Sequence, residues 1–422
     1  MNRYSGFLIT AIMIFAINIC MTDSDYLALM DRGFIFVLFF TLFLTNIYDD
    51  TTWDVSRYAG AISLTVLSSI KYLGCPIADG IRYFSGRRGD NSADTTQGDA
   101  PVYGSAGRSS ILYVLFGLVL SVPVLFVVIP LLASSDVVFE NMINRMFSFK
   151  WNENIPGIIF MMAAVFFVSY AFVLRLSDRM AVLEAPLTDK RTRNPIIAIT
   201  VSTVLLIIYG LYCAIQIVYL FMGYGVLPEG YTYAEYVHEG FYQLVFVCII
   251  NLVLVLVCRK YSRDNIILKV MLSLISACTF IMIFSSAYRM MLYIEAYGLT
   301  FLRIYVLWAL VVIGLAMTGT CVYIYVSGMP FYKYSLTVLA LTWMLFIFTG
   351  PDYRIAKYNL THPEACDRYY IIHELSVDAA PAVEKYADKE FKEEYFREKI
   401  YLKREQSIRK FNYSKWRLNR MI

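Results

Sequence analysis

The strongest constraint on this chain is a series of long apolar segments separated by short polar ones. A helix rises about 1.5 Å per residue, so roughly 20 apolar residues cross the hydrocarbon layer of a bilayer. Because a backbone in lipid must satisfy its own hydrogen bonds, the segments predict an all-α, polytopic transmembrane helical bundle. About nine spans are expected: Gly6–Met21, Gly33–Ile47, Ile111–Leu132, Ile155–Leu174, Pro195–Met222, Gly240–Val257, Ile266–Ala287, Ile304–Tyr325 and Tyr334–Thr349.

The distribution of charge divides the chain into two predicted domains. Of the 70 charged residues, 27 lie after Gly350. Residues 1–350 are therefore expected to form a transmembrane helical domain, and residues 351–422 a polar, extramembrane helical tail. Residues 85–110 are rich in Gly, Ser, Thr and Asp, which predicts a flexible cytoplasmic loop. Before it, Tyr58–Phe84 favours an interfacial helix with a broken second half over a tenth span.

The Lys and Arg residues of the loops indicate the orientation of the bundle. Loops on one side carry 16 of these cations and loops on the other side carry five. The positive-inside rule then predicts a multi-pass protein of the cell membrane with a cytoplasmic N-terminus and an extracytoplasmic tail. No small-x-small cleavage site follows Gly6–Met21, so we expect an uncleaved first helix. Eight or ten spans would place the tail in the cytoplasm instead.

Several kinds of site do not fit the sequence. The three histidines, His238, His362 and His373, are scattered, and no two of the eight cysteines lie within three residues of each other. The spacings of zinc and redox motifs are therefore absent, and neither a metal nor a cofactor is predicted. The net charge of +4 predicts no nucleic-acid partner.

Polar residues concentrate near the predicted outer ends of the fifth to eighth spans. On a helix Arg289 and Tyr293 share a face by i+4 spacing, as do Glu239 and Gln243. Ionisable residues in membranes commonly serve a function, so this group predicts a polar pocket for an anionic or sugar-like ligand. Alternatively, such residues anchor span ends among headgroups or clamp two helices together. The candidate pocket residues are Tyr236, Glu239, Gln243, Arg289, Tyr293 and Arg303.

The tail has the pattern of short amphipathic helices. Pro381 is typical of a helix start, and Glu393 and Arg397 form a favourable i,i+4 pair. Arg409–Arg420 has five basic residues, no acidic ones and interleaved aromatic residues, which suits the surface of an anionic membrane. The tail is therefore either a solvated helical cap or a docking site for a partner.

Three separated blocks carry a resemblance to a known family. They are Tyr233-Ala234-x-Tyr236-x-x-x-Gly240-Phe241-x-Gln243-Leu244, then Arg289-x-x-Leu292-Tyr293 with Tyr297-Gly298-Leu299-Thr300 and Arg303, and finally Ile355-Ala356-x-Tyr358-Asn359 with Leu375-Ser376-x-Asp378-Ala379-x-Pro381. Over roughly residues 231–416 the chain resembles bacterial membrane proteins known as the domain of unknown function 4153/4173 group. One departure is His238, where the pattern leads us to expect Arg. The resemblance implies a multi-pass helical fold and no particular reaction.

Three functions remain in competition. The first is a non-enzymatic envelope sensor, scaffold or accessory protein, in contact with the lipid bilayer and with an envelope protein partner through its tail. The second is a transporter of a small solute, against which we find no inverted repeat and no acidic residue near mid-membrane. The third is an envelope enzyme acting on a lipid-linked or anionic substrate at the outer membrane face. There Glu239 or His238 would act as base, and Arg289 and Arg303 would hold phosphate.

Overall fold

The computed structural model describes residues 3–48, 50, 53–69, 72, 75–76, 79, 155–177, 194–217, 233–326, 328–399 and 411–421. Within these ranges the chain is helical and contains no strand. The predicted span Ile111–Leu132 and the predicted flexible loop at residues 85–110 lie outside the described residues. The side chains of residues 233–242 lie outside them as well, although their backbone is helical.

The apolar segments form long helices, which confirms the predicted fold class. Seven helices in the described ranges are long and apolar enough to cross a membrane: Arg3–Met21, Asp25–Ile47, Pro195–Gln216, Gln243–Tyr261, Ile266–Tyr297, Phe301–Tyr325 and Phe331–Phe348. The predicted span Ile155–Leu174 falls on the helix Ile155–Ser177, whose described apolar stretch, Met161–Ala171, is shorter. The helices are α1 (Arg3–Met21), α2 (Asp25–Ile47), α3 (Val55–Ser69), α4 (Ile155–Ser177), α5 (Pro195–Gln216), α6 (Tyr233–Tyr261), α7 (Ile266–Tyr297), α8 (Phe301–Tyr325) and α9 (Phe331–Phe348).

The chain divides into two compact units. One comprises Met1–Ala59 together with Pro186–Ile422, and the other comprises Gly60–Ala185. In the second unit, the Tyr170 hydroxyl of α4 donates to a carboxylate oxygen of Asp79 at 2.8 Å. All further features described below belong to the first unit. The predicted boundary at residue 350 stays a prediction.

Local sequence signals set several helix ends. The Asn265 side chain accepts hydrogen bonds from the first backbone N–H groups of α7, which otherwise lack partners. Gly298 (φ 75°) ends α7 and Gly350 (φ 61°) follows α9, and both φ values lie in the region that glycine adopts without a steric cost. Pro351 directly follows Gly350 and opens the next helix, where its missing N–H does no harm.

Aromatic side chains fill the core between α1, α2, α8 and α9. Trp343 of α9 is fully buried. Its ring centroid lies 5.2 Å from that of Phe34, 5.0 Å from that of Trp308 and 5.1 Å from that of Phe346. These large rings give the four helices a common apolar contact.

In the described residues after the last span there are five short α-helices. They are α10 (Pro351–Thr361), α11 (Arg368–His373), α12 (Ala380–Tyr386), α13 (Lys389–Lys399) and α14 (Tyr413–Met421). Residues 351–399 and 411–421, which we call the cap, bury an apolar core that includes Ile355, Ile371, Val383, Phe391 and Leu418. Leu299 of the turn before α8 packs against the same core, as do Phe301 and Ile304 at the start of α8. The cap is thus a folded body attached to the bundle.

Contacts between turns define two faces of the first unit. On the cap face, Leu299 N donates to Asn359 Oδ1 at 2.7 Å, and Ser414 Oγ donates to Met21 O at the end of α1 at 2.9 Å. At the other ends of the helices, Lys333 Nζ lies 2.7 Å from Asp50 Oδ1. Because α1 begins at that opposite face, the start of α1 and the cap lie on opposite faces of the bundle.

Candidate functional site

Arg289 lies in a buried polar junction between α5 and α7. Its side chain is 7% exposed, and its Nη2 donates to Gln216 Oε1 at 3.1 Å. Ser285 Oγ donates to the same oxygen at 2.6 Å. Ser286 is fully buried beside them, and its hydroxyl has no hydrogen-bond partner among the described residues. The arrangement places a guanidinium, an amide and two hydroxyls at the cap-side end of α7.

Arg303 and Tyr293 lie together at the end of α7. The Arg303 guanidinium carbon is 4.3 Å from the centroid of the Tyr293 ring. Its Nη1 donates to Tyr297 O at 2.8 Å and also to Gly298 O. These carbonyls end α7, where a cation is favoured by the helix dipole. Arg303 therefore caps α7, and among the described side chains it makes no ion pair with the exposed Glu295.

The remaining predicted pocket residues lie on α6. Gln243 is exposed. Tyr236 and Glu239 belong to the helical backbone of α6, but their side chains lie outside the described residues. The structure thus brings Arg303 to Tyr293 and Arg289 to Gln216. Binding of a ligand by the predicted group stays a prediction.

The sequence interpretation missed Gln216, the acceptor for Arg289. The sequence does contain a signal for this contact, because Gln216 is a long polar side chain near the end of an otherwise apolar segment. Deeper in the bundle, the side-chain amide of Asn251 also joins helices. Its Oδ1 accepts from Tyr209 Oη at 2.7 Å, and its Nδ2 donates to Thr279 Oγ1 at 3.0 Å. One amide therefore joins α5, α6 and α7.

Asp31 is an acidic residue inside a membrane-length helix. The span predicted to begin at Gly33 excludes Asp31, whereas α2 begins at Asp25 and contains it. Asp31 is fully buried, about 9 Å along the helix from its first residue. Its Oδ2 accepts from Asn18 Nδ2 at 2.8 Å, and its Oδ1 accepts from Trp343 Nε1 at 2.7 Å. The carboxyl group thus joins α1, α2 and α9.

A second buried polar network joins the cap to the α1–α2 turn. Thr22 Oγ1 and Asp23 N both donate to the Asp378 carboxylate, the latter at 3.2 Å. Asp352 is 3% exposed and accepts from Ser376 Oγ at 2.5 Å and from Ser376 N at 3.2 Å. We call this group the cap junction. It contains Ser376 and Asp378 of the third sequence block.

Two lysines contribute positive charge to the cap junction. Lys415 Nζ of α14 lies 2.7 Å from Asp23 Oδ1. Lys399 is 6% exposed, and its Nζ donates to Leu375 O at 3.2 Å. Burial lowers the pKa of Lys399, whereas the nearby carboxylates of Asp23 and Asp352 act in the opposite direction.

Burial raises the pKa of two acidic groups of the cap junction, Asp352 and Asp23. It raises the pKa of Asp352 to about 6, and the negative charges of Asp378 and Asp23 add to that effect. Burial also raises the pKa of Asp23, although Lys415 opposes the shift. These groups bond to one another and to the α1–α2 turn, so the network is suited to holding the cap in place.

One comparison with known proteins decides the family. A family model described as Domain of unknown function (DUF4153) matches residues 9–386. The chain belongs to the DUF4153 family. The resemblance carried by the three sequence blocks is thereby confirmed. Searches of curated proteins and of solved structures each gave no match.

The DUF4153 match runs from α1 to the end of α12. It includes Asp31, Arg289 and the junction residues Asp352 and Asp378, while α13 and α14 follow it in the chain. Among the described residues, no group of three or more His, Cys, Asp or Glu side chains is arranged to hold a metal ion. The hydrogen bonds of these residues join the helices to one another and hold the cap on the helices.

Proposed function

We propose that this DUF4153 protein is a non-enzymatic sensor or scaffold of the cell envelope that presents its cap to a protein partner. The observation that carries the proposal is the attachment of the cap at two separate turns of the bundle. Asn359 and Tyr370 bond to the α7–α8 turn and the start of α8, and Asp378 bonds to the α1–α2 turn. Because the cap is bonded to both turns, it couples the position of the α1–α2 pair to that of the α7–α8 pair.

The attachment at the α7–α8 turn is specific in its geometry. Asn359 accepts from Leu299 N at 2.7 Å through its Oδ1 and donates to Leu299 O at 2.9 Å through its Nδ2. Tyr370 Oη accepts from Phe301 N at 2.9 Å. These bonds satisfy backbone groups between two helices, so displacement of the cap would leave them unpaired. A partner that moves the cap would therefore alter the α7–α8 turn.

The polar side chains within the spans support a non-enzymatic role. Asp31, Asn251 and Gln216 each bond to side chains on neighbouring helices. Interhelical hydrogen bonds of this kind stabilise membrane bundles. Their donors and acceptors are used in helix packing, which favours a scaffold over a catalyst.

The distribution of basic residues supports an extracytoplasmic cap. On the face opposite the cap, the last residues of α6 include Arg259 and Lys260, and the α6–α7 turn contains Arg263. On the cap face, the α1–α2 turn (residues 22–24) and the α7–α8 turn (residues 298–300) contain neither Lys nor Arg. The positive-inside rule then assigns the face opposite the cap to the cytoplasm, with the start of α1.

The outer surface of α11 and α13 is the proposed partner surface. Tyr369 of α11 is 67% exposed, an unusual position for a large aromatic side chain in a folded body. Glu393, Glu394 and Arg397 of α13 are exposed as well. Tyrosine and arginine are enriched at protein interfaces, and the rim of an interface is polar.

The proposal is tested by cross-linking the full-length, tagged protein in its native membrane and identifying what it retains. A cap variant combining Tyr369→Ser with Glu393→Lys should lose the partner, because an interface tyrosine commonly contributes about 2 kcal/mol, or roughly thirtyfold in affinity. Arg263→Gln, on the face opposite the cap, is the matched control and should retain the partner.

The amount of each variant in the membrane must equal that of the wild type for the comparison to apply. Recovery of one stoichiometric protein with wild type and control, and its loss with the cap variant, supports the proposal. If no protein is retained by the wild type, or if the cap variant retains the same one, the protein does not act through its cap.

A further inference from the structure

One face of α14 presents a stripe of exposed aromatic and basic side chains, of which Tyr413 and Arg417 also line a small cavity beside Asp378 of the cap. Tyr413, Trp416, Arg417 and Arg420 are spaced at i, i+3, i+4 and i+7, which places them on one side of a helix. All four are exposed, whereas Leu418 is 1% exposed and packs into the cap core. The cap core therefore does not account for this stripe.

The position of α14 is fixed at the end of the first span. Ser414 Oγ donates to Met21 O at 2.9 Å, and Asn412 Nδ2 donates to Thr22 O at 2.6 Å. Lys415 and Asp23 form the ion pair of the cap junction beside them. The 19 residues of α1 extend over about 28 Å, close to the thickness of the hydrocarbon layer. Since α1 ends at Met21, α14 begins at the level of the lipid headgroups.

The chemistry of the stripe suits that level of the bilayer. The Tyr413 and Trp416 rings stack with centroids 5.7 Å apart, and the Arg420 guanidinium carbon is 4.0 Å from the Trp416 centroid. Tryptophan and tyrosine are favoured at the membrane–water interface, and arginine binds phosphate groups with its planar set of donors. Phe411, just before the helix, adds a side chain that is 50% exposed.

The charge of the segment is complementary to anionic lipid. Phe411–Met421 contains Lys415, Arg417 and Arg420 and no acidic residue. Lys415 is paired with Asp23, so Arg417 and Arg420 supply the outward charge. A basic and aromatic helix with this composition binds the surface of anionic membranes rather than crossing them.

We propose that α14 is a binding surface for the headgroups of anionic phospholipids in the leaflet next to the cap. Arg417 and Arg420 contact the phosphates, while Tyr413 and Trp416 enter the interface. Lipid binding at α14 then fixes the edge of the cap to the bilayer as well as to the α1–α2 turn. This inference goes beyond the proposed partner surface, which lies on α11 and α13.

The experiment uses the full-length protein in nanodiscs of phosphatidylcholine and phosphatidylglycerol. One of the two lipids carries bromine on its chains at a constant fraction, and tryptophan fluorescence is recorded. The signal of Trp416 is isolated as the difference between the wild type and Trp416→Phe. Brominated phosphatidylglycerol should quench this signal more strongly than the same fraction of brominated phosphatidylcholine.

A double variant, Arg417→Gln with Arg420→Gln, should remove the preference for phosphatidylglycerol. Each cation near an anionic surface contributes a factor of about five to binding, so the double variant loses roughly 25-fold in lipid affinity. Lys385→Gln, an exposed position of α12, removes one charge from another cap helix and should keep the preference. Both arginines of α14 are exposed, so folding of the cap is expected to persist and is checked by hydrogen exchange of α10.

Several results would overturn the proposal. Equal quenching by the two lipids in the wild type, or no quenching of Trp416, would show that α14 does not select anionic lipid. Abolition of the preference by inorganic phosphate at constant ionic strength would indicate a site for free phosphate. If the double variant keeps the lipid preference but loses the protein partner, α14 is a protein-docking surface. The proposed function fails instead if the α11 and α13 variant leaves partner binding intact.

Discussion

At the scale of single residues, Asp31 shows how this bundle accommodates an acidic group. Its two carboxylate oxygens accept from the amide of Asn18 and the indole of Trp343, which lie on two other helices. When one partner of a buried hydrogen bond is removed, the other partner stays buried without a hydrogen bond, because neither protein nor water replaces the lost group. The carboxyl group therefore contributes to the packing of α1 and α9 against α2.

Substitution of Asp31 tests this role. Asp31→Leu leaves both N–H donors unpaired and should lower the free energy of unfolding by about 2–4 kcal/mol. Asp31→Asn keeps one carbonyl acceptor and should lose roughly half as much. Unfolding of the detergent-solubilised protein, followed by tryptophan fluorescence, measures the difference.

Asp25→Asn is the matched control for these variants, since Asp25 is exposed in the first turn of α2. Its effect should stay within about 1 kcal/mol. An Asp31→Leu variant as stable as the wild type would contradict the assigned role.

Part of the candidate site could be predicted from residue types alone. Arg289 and Arg303 were selected because charge is rare near spans, and both make specific contacts in the structure. Their partners could not be predicted, because Gln216 and Arg289 lie 73 residues apart and meet only through helix packing. Asp31 was missed because its segment begins with polar residues, which hydropathy assigns to a loop.

At the scale of helices, hydropathy located seven spans in the described ranges but underestimated the length of α7. The span predicted at Ile266–Ala287 continues to Tyr297, and α7 has 32 residues. That length corresponds to about 48 Å, well beyond the roughly 30 Å of hydrocarbon. Hydropathy reports only the part in lipid, while the remaining turns of α7 are stabilised by α8 and the cap. Hydropathy therefore does not detect the polar end of α7, which is found only in the folded structure.

The cap junction predicts a dependence of cap stability on pH. In the folded protein the pKa of Asp352 is about 6, above its ordinary value of 3.8. A carboxyl group with a raised pKa favours folding when it is protonated. Its contribution is complete below pH 3.8, declines as pH rises and is lost above about pH 6. Asp23 acts in the same direction.

Unfolding of the cap by denaturant should therefore require more denaturant at pH 5 than at pH 8. The expected difference from Asp352 is about 1 kcal/mol. Asp352→Asn imitates the neutral group, so its pH dependence should be smaller by that amount. A variant with the same pH dependence as the wild type would show that Asp352 does not titrate in this range. Glu393→Gln, an exposed position of α13, is the control.

At the scale of the whole molecule, the apolar segments were sufficient to predict an all-α multi-pass membrane protein. The attachment of the cap was not predictable, because Thr22 and Asp378 are 356 residues apart in sequence. Hydropathy and charge describe each segment by itself, whereas this contact depends on how the whole chain is folded. The structure adds that α1 starts on the face opposite the cap.

The central claim is that a folded cap covers the extracytoplasmic face of a membrane bundle. It is tested most directly with a membrane-impermeant maleimide in sealed, right-side-out membrane vesicles. Native cysteines are first replaced by alanine. One new cysteine then replaces either Glu393 on the cap or Arg263 on the opposite face, and both positions are exposed. Labelling of the cap cysteine in sealed vesicles, and of the Arg263→Cys variant only after detergent is added, is the predicted result; the reverse pattern would contradict the account.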